Sequence, residues 1–140
     1  MIVKFINPRG NEGLAMQVQT QVQTTPRTYL ANAFSLSMIP LTEKSVTVEF
    51  RRISLEEARA LLSNGFVSAV GHPATASALS KILGVNVPTN RVAITLEPGA
   101  TLIVFQLALG RLAPGQELGE QEILNAWQSG KAYFVLVHVE

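Results

Sequence analysis

Along the chain, short apolar runs alternate with amphipathic stretches, a rhythm that predicts strands separated by helices. Val46, Val48 and Phe50 alternate with Thr47 and Glu49, the period of a half-buried strand over residues 46–50. Ser54-Leu55-Glu56-Glu57 then reads as a capping box, with Glu57 able to answer the Ser54 cap. The helix it opens sets Leu55, Ala58, Leu61 and Leu62 on its apolar face, and Asn64-Gly65 closes it. Residues 66–70 form a small, mostly apolar strand that runs through Gly71-His72-Pro73 into a second helix over 74–83, with Gly84 at its stop. Residues 91–96 and 101–107 flank Glu97-Pro98-Gly99-Ala100 and predict a hairpin. A third helix over 120–128 and a closing strand over 132–139 complete the pattern.

Residues 28–33 read as a further strand, opening onto a loop with Ser35 and Ser37. Before it, residues 1–26 have a different texture. They carry a short apolar run over 2–5, a turn at Asn7-Pro8-Arg9-Gly10 and a partly alternating stretch over 15–24 that Pro26 ends. This segment reads as an added hairpin or arm. No repeat or linker divides the chain. The expectation is one α/β domain over 1–140, a mixed sheet flanked by helices, with 27–140 as its core.

Composition narrows the function classes. With 47% hydrophobic and 15% charged residues, the chain has ample apolar surface for a packed core and for an apolar dimer contact. It has no cysteine, so disulfides and thiolate metal sites are excluded. The apolar run at 1–5 is too short for a signal peptide, and no stretch approaches a membrane span, so a cytoplasmic location is expected. A net charge of +1 argues for a small ligand or a local basic patch rather than long nucleic acid.

The clearest chemical signal lies over residues 66–75, where a strand ends at Gly71 and a helix begins at once. Helix N-termini bind phosphate through unpaired backbone N–H groups and the positive end of the dipole. Gly71 lets the backbone turn or approach a ligand closely, and Thr75 can cap the helix or donate a hydroxyl. Pro73 suits the first helical turn, which has no use for its missing N–H. His72 stands at the lip, where an imidazole either delivers a proton to a leaving oxygen or simply caps the turn. The other histidine, His138, reads as a solvent-facing residue of the last strand. Neither metal-ligand spacing nor a nucleophile elbow is present, so metal-free, cofactor-free chemistry is expected. Arg91, preceded by Asn90, and Arg111 begin and follow the two strands of the expected hairpin. Each is either a phosphate-holding fork or an ordinary surface arginine. Arg51-Arg52 reads as a solvated strand end.

Three blocks carry a resemblance: Tyr29-Leu30-Ala31-Asn32-Ala33-Phe34-Ser35, Ser68-Ala69-Val70-Gly71-His72-Pro73-Ala74-Thr75, and Leu83-Gly84-Val85-Asn86-Val87-Pro88-Thr89-Asn90-Arg91. In order and spacing they resemble the viral ring-nuclease family, anti-CRISPR proteins with cellular relatives in type III CRISPR loci. The likeness spans roughly residues 29–139. It implies a metal-independent homodimer that binds cyclic tetra-adenylate across its two-fold axis and cleaves it to linear di-adenylate with 2′,3′-cyclic phosphate ends. It further implies His72 as the general acid protonating the departing 5′ oxygen, while the ligand's own 2′-hydroxyl attacks. Asn32 and Ser35 match residues that position the ligand, and Arg91 and Arg111 match arginines that hold phosphate and stabilise transition-state charge. Two positions depart from the family pattern. Relatives commonly carry Arg-x-Pro-Glu-Gly where this chain has Arg111-Leu112-Ala113-Pro114-Gly115, and a hydroxyl residue where it has Ala74. The departures leave a second reading open, a protein that sequesters the same messenger with little cleavage. A third is a viral nucleic-acid-binding protein, which the near-neutral charge disfavours.

Overall fold

Two apolar runs with residues buried on both faces, Thr101–Leu107 and Ala132–Val139, form the middle of a mixed five-stranded sheet. The computed structural model describes residues 27–41, 45–108 and 118–140. Along these residues the order is β1 (Thr28–Ala31), a 3₁₀ turn (Leu36–Met38), β2 (Val48–Ile53), α1 (Leu55–Leu62), β3 (Val67–Ser68), α2 (Pro73–Leu83), β4 (Thr101–Leu107), α3 (Glu120–Gln128) and β5 (Ala132–Val139). The sheet order is β2-β5-β4-β1-β3. β4, β1 and β3 run parallel, while β5 is antiparallel to both β4 and β2.

The pleat sends alternate residues to two separate cores. Ile103, Phe105, Phe134 and Leu136 point to one face, where they meet Ala58 and Leu62 of α1, Ala76, Leu79 and Leu83 of α2, and Ile123 of α3. There Phe105, Trp127 and Phe134 form an aromatic cluster, with ring centroids 5.4–6.3 Å apart. Leu102, Val104, Val137 and Val139 point to the other face, which is covered by loop residues such as Ile39, Leu96 and Ala100. Among the described residues the helices therefore flank the sheet on one face.

Local signals set the helix ends as the chain pattern predicts. In α1 the Ser54 hydroxyl accepts from the Glu57 N–H, and the Glu57 carboxylate accepts from the Ser54 N–H. Gly84 ends α2 in the left-handed conformation, at φ 75°, where a side chain would be strained. The Ser54 N–H, followed by the Arg51 guanidinium, holds the Glu57 carboxyl below its ordinary range. Because this folded-state value is depressed, the associated stabilisation is present above the unfolded carboxyl range and disappears as pH falls through the depressed value. Urea unfolding of Glu57→Gln should accordingly show a stability deficit at neutral pH that vanishes on acidification. Ser54→Ala is expected to cost about 1 kcal/mol at neutral pH.

Six expectations need correction. The strand expected over 66–70 is only Val67–Ser68, since the chain beyond it turns into α2, and that expected over 46–50 runs Val48–Ile53, paired with β5 as far as Phe134. Residues 91–96 form no strand and no hairpin with β4, because both edges of β4 are already taken by β1 and β5. β1 ends at Ala31, two residues earlier than its β-rich run suggested, where the chain turns off the sheet. Leu61 lies on the outer side of α1 and is exposed, leaving Ala58 and Leu62 as that helix's buried residues. His138 is half-buried, since β5 closes the chain yet sits inside the sheet; its Nδ1 lies 3.3 Å from the Thr101 hydroxyl. The expected arm over 1–26 lies outside the described residues.

Candidate functional site

The parallel strands bring two loops to one end of the sheet. β1 and β3 pair in register, Tyr29 with Val67 and Leu30 with Ser68, so Asn32 and the turn to His72 leave neighbouring carboxyl ends. β4 is parallel to β1 on its other side and ends at the same edge. In open α/β sheets this is the edge at which ligands commonly bind.

His72 occupies the N-cap position of α2, with extended backbone at φ −119° and ψ 127° and its side chain exposed. Its carbonyl accepts from the Ala76 N–H, and its imidazole makes no cap bond. Pro73 begins the helix, as its fixed φ and absent N–H favour. The first turn of α2 holds no acidic residue, whereas α1 and α3 each carry glutamates there. The positive end of the α2 dipole is thus left uncompensated by carboxylates of its own first turn, beside an exposed imidazole.

On the other loop, Ser35 caps the short 3₁₀ turn. Its hydroxyl accepts from the Ser37 N–H at 3.3 Å and lies 2.9 Å from the Ser37 hydroxyl. The hydroxyl pair is exposed, and Asn32 beside it is half-buried. Both can still meet a ligand at the strand ends.

The chain after α2 returns along the outer side of β3. The Asn90 N–H donates to the Val70 carbonyl at 2.8 Å, and its side-chain amide donates to the Ser68 carbonyl at 2.7 Å. Arg91 lays its stem over Gly71 and donates from Nη2 to the Gly71 carbonyl at 3.2 Å. A Cβ on Gly71 would lie 3.4 Å from the Arg91 Nε, in ordinary contact, so neither space nor backbone conformation demands a glycine here. The Arg91 guanidinium is exposed and has further N–H groups for an anion.

Seven of the eight site residues read from the sequence fall on described chain. Asn32, Ser35, Gly71, His72 and Arg91 have polar groups or backbone reaching this edge. Thr75 is only 7% exposed, packed in the first turn of α2, and does not cap it. Asn90 spends its amide on backbone. Arg111 lies outside the described residues, beyond the end of β4. Sequence reading missed the buried Ser68, whose hydroxyl donates to the Pro88 carbonyl at 2.6 Å. A lone hydroxyl inside the apolar run 66–70 was the available signal. Among the described residues no three His, Cys, Asp or Glu side chains converge as metal ligands. Clefts of about 370 Å³ beside Arg52, Tyr133 and Trp127, and about 460 Å³ beside Pro40, Leu96 and Glu97, lie elsewhere. The candidate site is an open edge of the sheet, not either of these hollows.

A family model described as STIV B116-like matches residues 28–132, the span that contains every element of this edge. The chain belongs to the STIV B116-like family. The chain is also similar to the ORF117 protein of Acidianus two-tailed virus, 39% identical over 101 residues, covering 70% of this chain and 83% of that protein. Protein 26 of Sulfolobus islandicus filamentous virus (isolate Iceland/Hveragerdi) is 36% identical over 104 residues, covering 71% and 86% respectively. The solved structure of B116 of Sulfolobus turreted icosahedral virus superposes with a TM-score of 0.61 at 25% identity, over 80% of this chain and 98% of that one. The STIV B116-like chain thus stands among archaeal virus proteins and shares its mixed α/β fold with B116. Among its described residues no helix is long and apolar enough to cross a membrane.

Proposed function

We propose that this protein is a metal-independent ring nuclease that cleaves cyclic tetra-adenylate and so switches off type III CRISPR signalling as an anti-CRISPR. The observation that carries the reading is the juxtaposition of two loops at the carboxyl ends of β1 and β3. One brings Asn32 and Ser35, and the other brings the exposed His72 with Arg91 beside it. These are the positions that the ring-nuclease resemblance assigns to ligand positioning, proton donation and phosphate binding.

The chemistry needs few parts. The ligand's 2′-hydroxyl gives up its proton to solvent as its oxygen attacks the adjacent phosphorus, the bond to the 5′-oxygen breaks, and His72 supplies the proton to that leaving oxygen and is reprotonated from solvent. The product end is a 2′,3′-cyclic phosphate, and two such cuts give linear di-adenylate. Arg91, and Arg111 by its match to the family motif, would hold phosphate and stabilise the charge that builds in transit. A two-fold dimer presents each donor twice to a ring of four near-equivalent phosphates. Exposed Leu36, Leu41 and Phe50, on and near the Ser35 loop, are apolar surface that supports such self-association. Action in the host cytoplasm, where the messenger is formed, follows from the reading.

Incubation of the purified protein with cyclic tetra-adenylate in EDTA, with products separated by chromatography, is expected to yield linear di-adenylate. Ligand that stays intact but co-elutes with the protein would replace the enzyme by a messenger sponge, the reading that Ala74 and Pro114 favour. Neither binding nor cleavage would sink both. Binding to long duplex DNA should be weak at moderate salt; tight binding with a steep salt dependence would instead favour a nucleic-acid-binding protein.

A further inference from the structure

The segment leading into His72 is held by a substitute for a strand. β3 has only two residues, with β1 on its inner side, where the Ala69 N–H donates to the Leu30 carbonyl at 2.8 Å. On its outer side, the carbonyls of Ser68, Val70 and Gly71 accept from the Asn90 amide, the Asn90 N–H and the Arg91 guanidinium. A neighbouring strand would supply such donors from backbone alone. Here one side chain and one backbone N–H of the same residue span the gap between Ser68 and Val70.

Ser68 ties the same strap from the inside. It is 5% exposed, its hydroxyl donates to the Pro88 carbonyl at 2.6 Å, and it accepts from the Val70 N–H at 3.3 Å. Every bond in this set ends on backbone between Ser68 and Gly71 or on the strap itself. The imidazole of His72 begins one residue later and, among the described residues, makes no cap bond of its own. Its location relative to a ligand is therefore inherited from the strap.

We propose that Asn90 and Ser68 are positioning residues that fix His72, with Asn90 acting on the backbone rather than on the ligand. The catalytic part of the test rests on the ring-nuclease reading; the placement of His72 can be read without it. The sequence has two histidines, so histidine-selective isotope labelling gives two imidazole signals, which His72→Ala assigns. His138 lies at the opposite end of the sheet and serves as the internal reference.

In Asn90→Asp the carboxylate cannot donate to the Ser68 carbonyl. The His72 signal is expected to shift or broaden while that of His138 stays in place. Turnover of cyclic tetra-adenylate should fall about 10- to 100-fold, the loss typical of a catalytic group displaced by about an ångström, with ligand affinity unchanged. Acidification protonates the introduced carboxyl and restores an O–H donor, so the His72 signal should return towards that of wild type at the same pH. Ser68→Ala, which removes a single hydroxyl, should move the same signal, and it carries the test if Asn90→Asp does not fold. A His72 signal unchanged in a folded variant overturns the proposal. So does weakened ligand affinity with an unmoved His72 signal, which would make Asn90 a ligand contact. If wild type neither binds nor cleaves, the ring-nuclease reading fails and the imidazole spectra still decide the positioning role.

Discussion

Replacing His72 with alanine is expected to lower the rate of cyclic tetra-adenylate cleavage about 10²–10⁴-fold, the usual contribution of a general acid. Binding should survive. The side chain is exposed and makes no cap bond, and its backbone is extended, a conformation alanine adopts freely. Neither histidine nor alanine is a strong N-cap, so α2 should keep its start at Pro73. Stability should therefore change little, and calorimetric titration of the ligand should give a similar affinity for both proteins. His72→Gln makes the stricter comparison, because it keeps a polar group at the lip but no proton donor of suitable acidity. Full cleavage by either variant would remove His72 from the mechanism. Loss of binding together with cleavage would make it a ligand contact instead.

Phe134→Ala is expected to cost about 3–5 kcal/mol of folding stability, among the largest effects anticipated for the described side chains. Phe134 is fully buried on β5, a central strand, and pairs across the sheet with Phe105 on one side and Ile53 on the other. Its ring centroid lies 5.4 Å from those of both Phe105 and Trp127. Truncation removes the apolar area and leaves a cavity on β5, a strand already paired on both edges, which limits collapse around it. Phe134→Leu keeps most of the volume and should cost distinctly less. Urea unfolding measures both, and a Phe134→Ala loss below about 1 kcal/mol would show that this cluster relaxes freely.

Much of the fold was legible because its determinants are local. The capping box at Ser54 and Glu57, Pro73 at a helix start and Gly84 at a helix end each act within one turn, and each lies where the chain pattern placed it. Unlike the alternation of β2, where Phe50 is exposed and only Ile53 is buried, the continuous apolar runs of β4 and β5 likewise report burial in their own spacing. The same holds for the turn carrying His72, since a strand, a glycine and a helix start are adjacent in sequence.

Pairing is not local, and the misreadings come from there. Residues 91–96 have the composition of a hairpin strand, but β1 and β5 occupy both edges of β4, so the segment has no hydrogen-bonding partner there. His138 lies near the end of β5 yet inside the sheet, because sequence position says nothing of spatial order. Asn90 reads as a polar residue beside an arginine, equally suited to a ligand. Only the return of its segment along β3 commits the amide to the Ser68 carbonyl. By itself the sequence determined the helices, their caps and the apolar strands, whose causes lie within a few residues. The tertiary structure alone decided that the ends of β1 and β3 meet and which polar side chains the backbone consumes. Those outcomes depend on which distant segments claim each strand's free edge.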